Sequence, residues 1–221
     1  MRINPPSPTV LPCARAALLG LLLMPGFAAA EQWEVGGAGG IGTYSNGTIF
    51  SRAGQGTAGI RNRFTLSAAL TEHRFRRVSG ELRYTYQDGD PFISAAGRST
   101  NIEGQSHSIH YDALIHLRGW GKLAPFLEIG GGAKAYRVTG PLPTTPTLTQ
   151  YARFRQDSDV KPLLVFGAGF KYPLLNKVFL RFDFLDYLTP FPGDIIVPAT
   201  GGNIRGLMHQ FTPMLGISIT P

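Results

Sequence analysis

The chain has 221 residues and a formal net charge of +7, yet charged residues make up only 16% of it, against about 25% in an ordinary soluble domain. Its single cysteine, Cys13, excludes a disulfide framework. The basic residues are scattered singly along the predicted strands, with no patch on one helix or motif, which argues against binding to nucleic acid.

Residues 1–30 have the form of a secretory signal peptide. Two arginines are followed by a short apolar core, Ala16–Met24, and by small residues at Ala28-Ala29-Ala30 that suit cleavage. The apolar core is shorter than the ~20 residues of a membrane-spanning helix. We therefore expect export from the cytoplasm and a single domain of residues 31–221 that contains no cysteine.

Eight later segments alternate apolar residues with polar or small ones, the period of a β-strand with two unlike faces. In Glu81–Gln87, for example, Leu82, Tyr84 and Tyr86 share one face. The predicted strands, in chain order, are Trp33–Tyr44, Thr57–Leu70, Gly80–Gln87, Gln105–Leu117, Ala124–Val138, Pro162–Tyr172, Val178–Leu188 and Gly206–Ile219.

The connections between these strands alternate between short and long. Arg118–Lys122 and Pro173–Lys177 are short turns, and Thr71–Ser79 is slightly longer. The four long connections are Ser45–Gly56, Asp88–Gly104, Thr139–Lys161 and Thr189–Arg205. Short periplasmic turns and long extracellular loops are typical of barrels in the outer membrane. The sequence therefore predicts an all-β protein, an eight-stranded antiparallel up-and-down transmembrane β-barrel, located in the bacterial outer membrane.

Charged residues share one face of each predicted strand. An Arg or Lys facing lipid at the bilayer midplane costs about 2–4 kcal/mol, so the charged faces should point into the lumen. The inward set comprises Glu34, Arg61, Arg63, Glu81, Arg83, Asp112, Glu128, Lys134, Lys171, Arg181 and Asp183. Because an eight-stranded barrel has room inside only for side chains, we expect these charges to pair and to plug the lumen.

Aromatic residues cluster near the ends of the predicted strands. They are Trp33, Tyr44, Tyr86, Trp120, Tyr172, Tyr187 and Phe191. Transmembrane barrels carry aromatic girdles at both membrane interfaces, and we expect most of these residues to belong to them.

The segments Gly80-Glu81-Leu82-Arg83-Tyr84 and Arg181-Phe182-Asp183-Phe184-Leu185-Asp186-Tyr187 resemble those of bacterial eight-stranded outer-membrane barrels of the OmpA/OmpX type. The resemblance covers about residues 33–219. It implies a barrel inserted by the barrel-assembly machinery and surrounded by outer-membrane lipids and lipopolysaccharide. Members of this family usually end on an aromatic residue that the machinery recognises, whereas this chain ends at Pro221.

Ser108, His110 and Asp112 share one face of the fourth strand and are the residue types of a nucleophile, a base and an orienting acid. Same-face neighbours on a strand lie ~6.5 Å apart by the strand rise, which exceeds the hydrogen-bond reach that a nucleophile and a base need. We therefore expect a polar network in the lumen instead of catalysis. Lipid A deacylases use a histidine and a serine two residues apart. His107 is instead flanked directly by Ser106 and Ser108, and Ser108 and His110 have that spacing in reversed order, on the face expected to point inward.

The five histidines do not supply three or four converging ligands at recognisable spacing, and no glycine-rich segment has the form of a phosphate-binding loop. We therefore predict no catalytic, cofactor-binding or metal-binding residue, and no cofactor.

The predicted function is that of a non-enzymatic barrel that anchors or supports the envelope, or binds at the surface through its four long loops. A small porin-like channel for small or apolar solutes is the main alternative. A lipid A-modifying enzyme and a soluble periplasmic binder of lipocalin type are further alternatives. The basic surplus would suit the phosphates of lipopolysaccharide.

Overall fold

Side chains that alternate between apolar and polar give the long strands two unlike faces, and these strands close into a barrel. The structure, a computed structural model, describes residues 33–143 and 147–221. The predicted signal peptide lies outside the described residues. Within them, no helix is long and apolar enough to cross a membrane.

The described residues form fifteen strands. They are β1 (Trp33–Tyr44), β2 (Gly47–Ser51), β3 (Gly54–Ile60), β4 (Arg63–Glu72), β5 (Val78–Asp88), β6 (Pro91–Ala95), β7 (Arg98–Asn101), β8 (Gly104–His116), β9 (Ala124–Val138), β10 (Ala152–Phe154), β11 (Ser158–Leu175), β12 (Val178–Pro190), β13 (Ile196–Pro198), β14 (Asn203–Arg205) and β15 (Leu207–Ile219).

Eight of these strands form a closed antiparallel barrel in the order β1-β15-β12-β11-β9-β8-β5-β4. The first and last strands close it, with Val35 opposite Ile219 and Tyr44 opposite Gln210. Because the barrel is closed, every barrel strand is paired on both sides, and no sheet edge is free. We call the end with the three short connections the turn end, and the end with the four long connections the loop end.

Seven of the eight predicted strands coincide with barrel strands, and their ends differ by at most four residues. The second predicted strand, Thr57–Leu70, is wrong. It combines the end of β3 with most of β4, and the chain leaves strand geometry at Arg61 and Asn62. The alternating pattern runs through this break because β3 is also a strand, although it pairs with β2 and β6 outside the barrel.

The four long connections are not irregular loops. Seven short strands arise from them, and these form a five-stranded sheet, β14-β2-β3-β6-β7, and a two-stranded sheet, β10-β13. We call these two sheets the loop cap. Their side chains share an apolar core with the loop end of the barrel, and this core includes Ile49, Ile93, Tyr136 and Ile196. The loop end is thus covered by packed, ordered structure.

The outer face of the barrel is apolar. Its half-exposed side chains include Val35, Ile41, Leu66, Leu82, Ile109, Tyr111, Ile129, Leu164, Phe184, Leu215 and Ile217. Soluble monomers rarely expose a continuous apolar surface of more than a few hundred Å². A lipocalin-like soluble barrel would need the opposite arrangement, with its apolar face turned inward.

Two of the tyrosines expected in the aromatic girdles point inward instead. Tyr44 and Tyr187 are buried in the lumen, and Phe191 packs against the apolar core of the loop end. Position near a strand end does not show which face of the strand a residue occupies. Tyr44 and Tyr187 point into the lumen because their positions have the inward parity of their strands.

Candidate functional site

The lumen contains most of the charged residues that the sequence placed there. Nine are buried: Glu34, Glu81, Arg83, Asp112, Glu128, Lys134, Lys171, Arg181 and Asp183. Arg61 and Arg63 are exposed, contrary to expectation. Arg61 lies in the break before β4. Arg63 is the first residue of that strand, opposite Gly42 at the loop end, and its exposed guanidinium pairs with Asp90, with Nη2 2.5 Å from Oδ2.

Two guanidiniums bridge the middle of the lumen from opposite walls, because β5 and β12 are four strands apart in the eight-stranded order. Arg83 Nη2 lies 2.5 Å from Glu81 Oε1, and Arg181 Nη1 lies 2.5 Å from Glu81 Oε2. Thr71 Oγ1 donates a further hydrogen bond of 2.6 Å to Glu81 Oε2. Charge-assisted contacts of this kind are the strongest hydrogen bonds in proteins.

Two more carboxylates complete this central layer. Asp183 Oδ1 lies 2.9 Å from Arg181 Nη2 and 3.3 Å from Arg83 Nη2. Glu128 Oε2 lies 3.4 Å from Arg83 Nη2 and 3.5 Å from Arg181 Nη2. Each guanidinium therefore faces three carboxylates, which offsets the large cost of removing these charges from water.

Side chains two residues apart on one strand do bond to each other here. His110 Nδ1 lies 2.6 Å from Asp112 Oδ2, and Arg83 reaches Glu81 on the same strand in the same way. The expectation that a spacing of ~6.5 Å prevents such contacts was wrong, because it holds for Cα atoms and long side chains lean along the strand. Ser108 is too short to do so, and no hydrogen bond joins it to His110.

His110, Asp112 and Glu128 are the described residues that could hold a metal ion, since ligand atoms from all three lie within 4.8 Å of one another. Asp112 and Glu128 belong to neighbouring strands, because β8 and β9 pair with Asp112 opposite Gly130. Sequence spacing did not indicate this group. The register of β8 against β9, which brings the residues together, could have indicated it.

A second layer of the lumen lies toward the loop end and is built around Lys134. Its Nζ donates hydrogen bonds to Tyr44 Oη, at 3.2 Å, and to Gln210 Oε1. The same ammonium lies 4.9 Å from the ring centroid of Tyr44 and 5.1 Å from that of Tyr136. Cation–π contacts and polar oxygens thus replace a carboxylate partner for this buried charge.

A third layer closes toward the turn end. Lys171 Nζ lies 2.6 and 2.8 Å from the two carboxylate oxygens of Glu34. From Glu34 a chain of hydrogen bonds runs through His73 at 2.9 Å, Ser79 at 2.8 Å and His116 at 2.7 Å. The sequence pattern does not indicate this chain of hydrogen bonds, because its members come from four different strands or turns.

The chain Glu34–His73–Ser79 contains the residue types of a catalytic triad. Ser79 is buried, however, and its hydroxyl oxygen is shared between the imidazoles of His73 and His116. This arrangement holds three elements of the turn end together. His107, the other histidine considered for catalysis, faces outward and bonds to Tyr84 Oη at 2.7 Å, whereas Ser106 and Ser108 face inward.

No protein-family model matches the chain, and no curated protein matches it. Solved structures do. Outer membrane protein OprG from Pseudomonas aeruginosa aligns over 86% of this chain and 96% of its own, with 11% identity and a TM-score of 0.55. This is the fold of the eight-stranded outer-membrane barrels.

Two further structures align less closely. Neisserial surface protein A shares 9% identity over 86% of this chain and 97% of its own, with a TM-score of 0.48. Ail, the attachment invasion locus protein of Yersinia pestis, shares 9% identity over 85% of this chain and 98% of its own, with a TM-score of 0.42.

The closed barrel and its apolar outer face confirm the predicted fold class and the predicted place in the bacterial outer membrane. In such barrels the short turns lie in the periplasm and the long connections lie outside the cell. The same rule, applied to this barrel, predicts a periplasmic turn end and a loop cap at the cell surface.

Proposed function

We propose that this protein is a non-enzymatic outer-membrane barrel with a closed lumen, which presents its loop cap as a rigid surface for structural or binding roles outside the cell. The observation that carries the proposal is the loop cap itself. The four long connections form two sheets over a shared apolar core. Sites held on ordered strands are positioned more accurately than sites on mobile loops.

The three buried layers support a closed lumen. Ion pairs between β5 and β12 cross the middle of the barrel, Lys134 and its tyrosines fill the loop end, and the Lys171–Glu34 pair lies toward the turn end. Apolar side chains, among them Leu163, Leu185 and Met214, fill the remaining wall. An eight-stranded barrel has little interior beyond the volume of such side chains.

Single-channel recording in a planar bilayer tests the closed lumen. The protein is extracted from outer membranes, and its folding is shown by different gel mobilities before and after boiling. We expect no conductance steps from the wild type. A paired variant, Lys134→Ala with Tyr136→Ala, removes side chains from the layer nearest the loop end, and the central ion pairs should keep it silent as well.

Discrete, reproducible steps from folded wild-type protein would overturn the closed lumen and make a small channel the leading function. Hydrolysis of lipid A by the wild type, lost in His73→Ala, would instead overturn the non-enzymatic proposal. Protection of the loop cap from proteolysis on whole cells by a bound surface molecule would support its role in binding.

A further inference from the structure

The turn end carries an unbalanced positive charge. Its three connections, residues 73–77, 117–123 and 176–177, contain six Arg or Lys residues and neither Asp nor Glu. The four long connections at the loop end, residues 45–62, 89–103, 139–157 and 191–206, contain six basic and four acidic residues over a much longer stretch of chain. The net positive charge is therefore larger at the turn end, the predicted periplasmic side, than at the loop end.

Large apolar side chains alternate with these basic residues along the turns. Phe75 stands between two arginines and is 68% exposed, and Trp120 stands between Arg118 and Lys122 and is 77% exposed. Aromatic residues placed between basic ones at the rim of a transmembrane barrel belong at the level of the lipid headgroups. If the turn end bound only a water-soluble anion, the rings of Phe75 and Trp120 would remain in water.

The same rim opens into a cavity of about 630 Å³. Basic and imidazole groups dominate its lining, which includes Arg74, Arg76, Lys122, Lys171, His73 and His116. The acidic residue in the lining is Glu34, and Lys171 and His73 already bind its carboxylate. The mouth of the barrel at the turn end thus joins a concave positive site to an apolar membrane rim.

We propose that the turn end is a binding site for anionic phospholipids of the inner leaflet, whose phosphate groups lie against the basic turns while Phe75 and Trp120 lie among the headgroups. This goes beyond the proposed surface role, because it concerns the opposite end of the barrel. Each Lys or Arg held near an anionic leaflet contributes about a fivefold preference for it. The site therefore selects lipids by charge and keeps the barrel at a fixed depth.

Tryptophan fluorescence provides the test, because the sequence contains only Trp33 and Trp120 and both lie at the turn end. The protein, expressed from its full chain and extracted from outer membranes, is placed in phosphatidylcholine bilayers that contain brominated phosphatidylglycerol or brominated phosphatidylcholine at equal mole fraction. We expect quenching by the anionic lipid to exceed quenching by the neutral lipid at least threefold, and the ratio to fall in high salt.

Two variants with equal loss of charge separate the turn end from a general charge effect. Arg74→Gln, Arg76→Gln, Arg77→Gln and Lys122→Gln together should reduce the quenching ratio to about one. Four changes at the loop end, Arg52→Gln, Arg98→Gln, Arg153→Gln and Arg155→Gln, should leave the ratio unchanged. Replacement of the three turn arginines by Lys should preserve the ratio, which shows that charge and not folding is responsible.

The proposal is overturned by a wild-type ratio of one, or by an equal loss of preference in both glutamine variants. A ratio that inorganic phosphate at millimolar concentration abolishes would also overturn it, because the site would then hold a soluble phosphate and not a membrane lipid. All variants are compared only after their gel mobility shows that the barrel is folded.

Discussion

Arg83 illustrates how single residues hold this lumen together. Its guanidinium is almost completely buried and lies within ion-pair distance of Glu81, Glu128 and Asp183. Removing one partner from such a cluster leaves the others as buried charges without compensation, which costs far more than the contact itself contributes. The stability of the barrel should therefore depend strongly on this residue.

Arg83→Ala is predicted to lower the free energy of unfolding by about 3–5 kcal/mol. The measurement is a urea titration in lipid vesicles, with folded and unfolded protein separated by gel mobility. Arg98→Ala, in exposed strand β7 of the loop cap, serves as the control and should change stability by no more than about 0.5 kcal/mol. Equal effects of the two changes would show that the central ion pairs do not stabilise the barrel.

At this scale the sequence predicted which side chains face inward, because lipid penalises charge on the other face. Nine of the eleven expected positions follow that rule. Arg61 and Arg63 are exposed instead, since Arg61 lies in the break before β4 and Arg63 stands at the loop end of that strand, where the lumen opens. The contact between Asp112, on β8, and Glu128, on β9, depends on register, which alternation within one strand does not specify.

The loop cap is the element that the sequence pattern does not predict. Its strands contain three to seven residues, and their glycines and prolines are also typical of loops. Strands this short gain stability from packing on a common core and not from their own propensity. Ile49 on β2 is an example: it is 0% exposed within that core, whereas its neighbour Phe50 is 39% exposed on the opposite face.

Ile49→Ala is predicted to destabilise the loop cap by about 2–5 kcal/mol, the usual cost of truncating a buried isoleucine. Trypsin should then cleave the long connections faster, while the barrel keeps its heat-dependent gel mobility. Phe50→Ala is the matched control on the same strand and should leave the cleavage rate close to that of the wild type. Equal cleavage of both variants would mean that the apolar core does not order the cap.

The whole molecule must present suitable side chains to three surroundings, namely hydrocarbon, the lumen and water, from one closed sheet. The outer face meets hydrocarbon through side chains such as Ile109 and Leu215, the lumen pairs its own charges, and the two ends meet water. The alternating pattern and the order of short and long connections predicted this arrangement, because both are properties of each strand and its neighbours along the chain. The contacts across the lumen between β5 and β12 join residues about one hundred positions apart, which is why they appear only in the structure.

The transmembrane arrangement itself makes a depth-dependent prediction. Phe184 lies at the middle of β12 and faces outward, and Leu207 faces outward at the first residue of β15, near the loop end. Phe184→Arg should lower the free energy of unfolding in lipid vesicles by about 2–4 kcal/mol, because it places a charge at the bilayer midplane. Leu207→Arg should cost only about 0–1 kcal/mol, because near the interface the guanidinium can reach the headgroups and water.

Urea titrations of both variants in vesicles provide the measurement, and the same pair in detergent micelles provides the control. A micelle adapts its shape around a charge, so the difference between the two positions should shrink there. Equal costs at the two positions in vesicles would contradict the assignment of Phe184 to the midplane, and with it the position of the barrel in the bilayer. A large cost for Phe184→Arg alone would place the bilayer midplane at the level of Phe184 on β12. Arg181 and Asp183 reach into the lumen from the same strand.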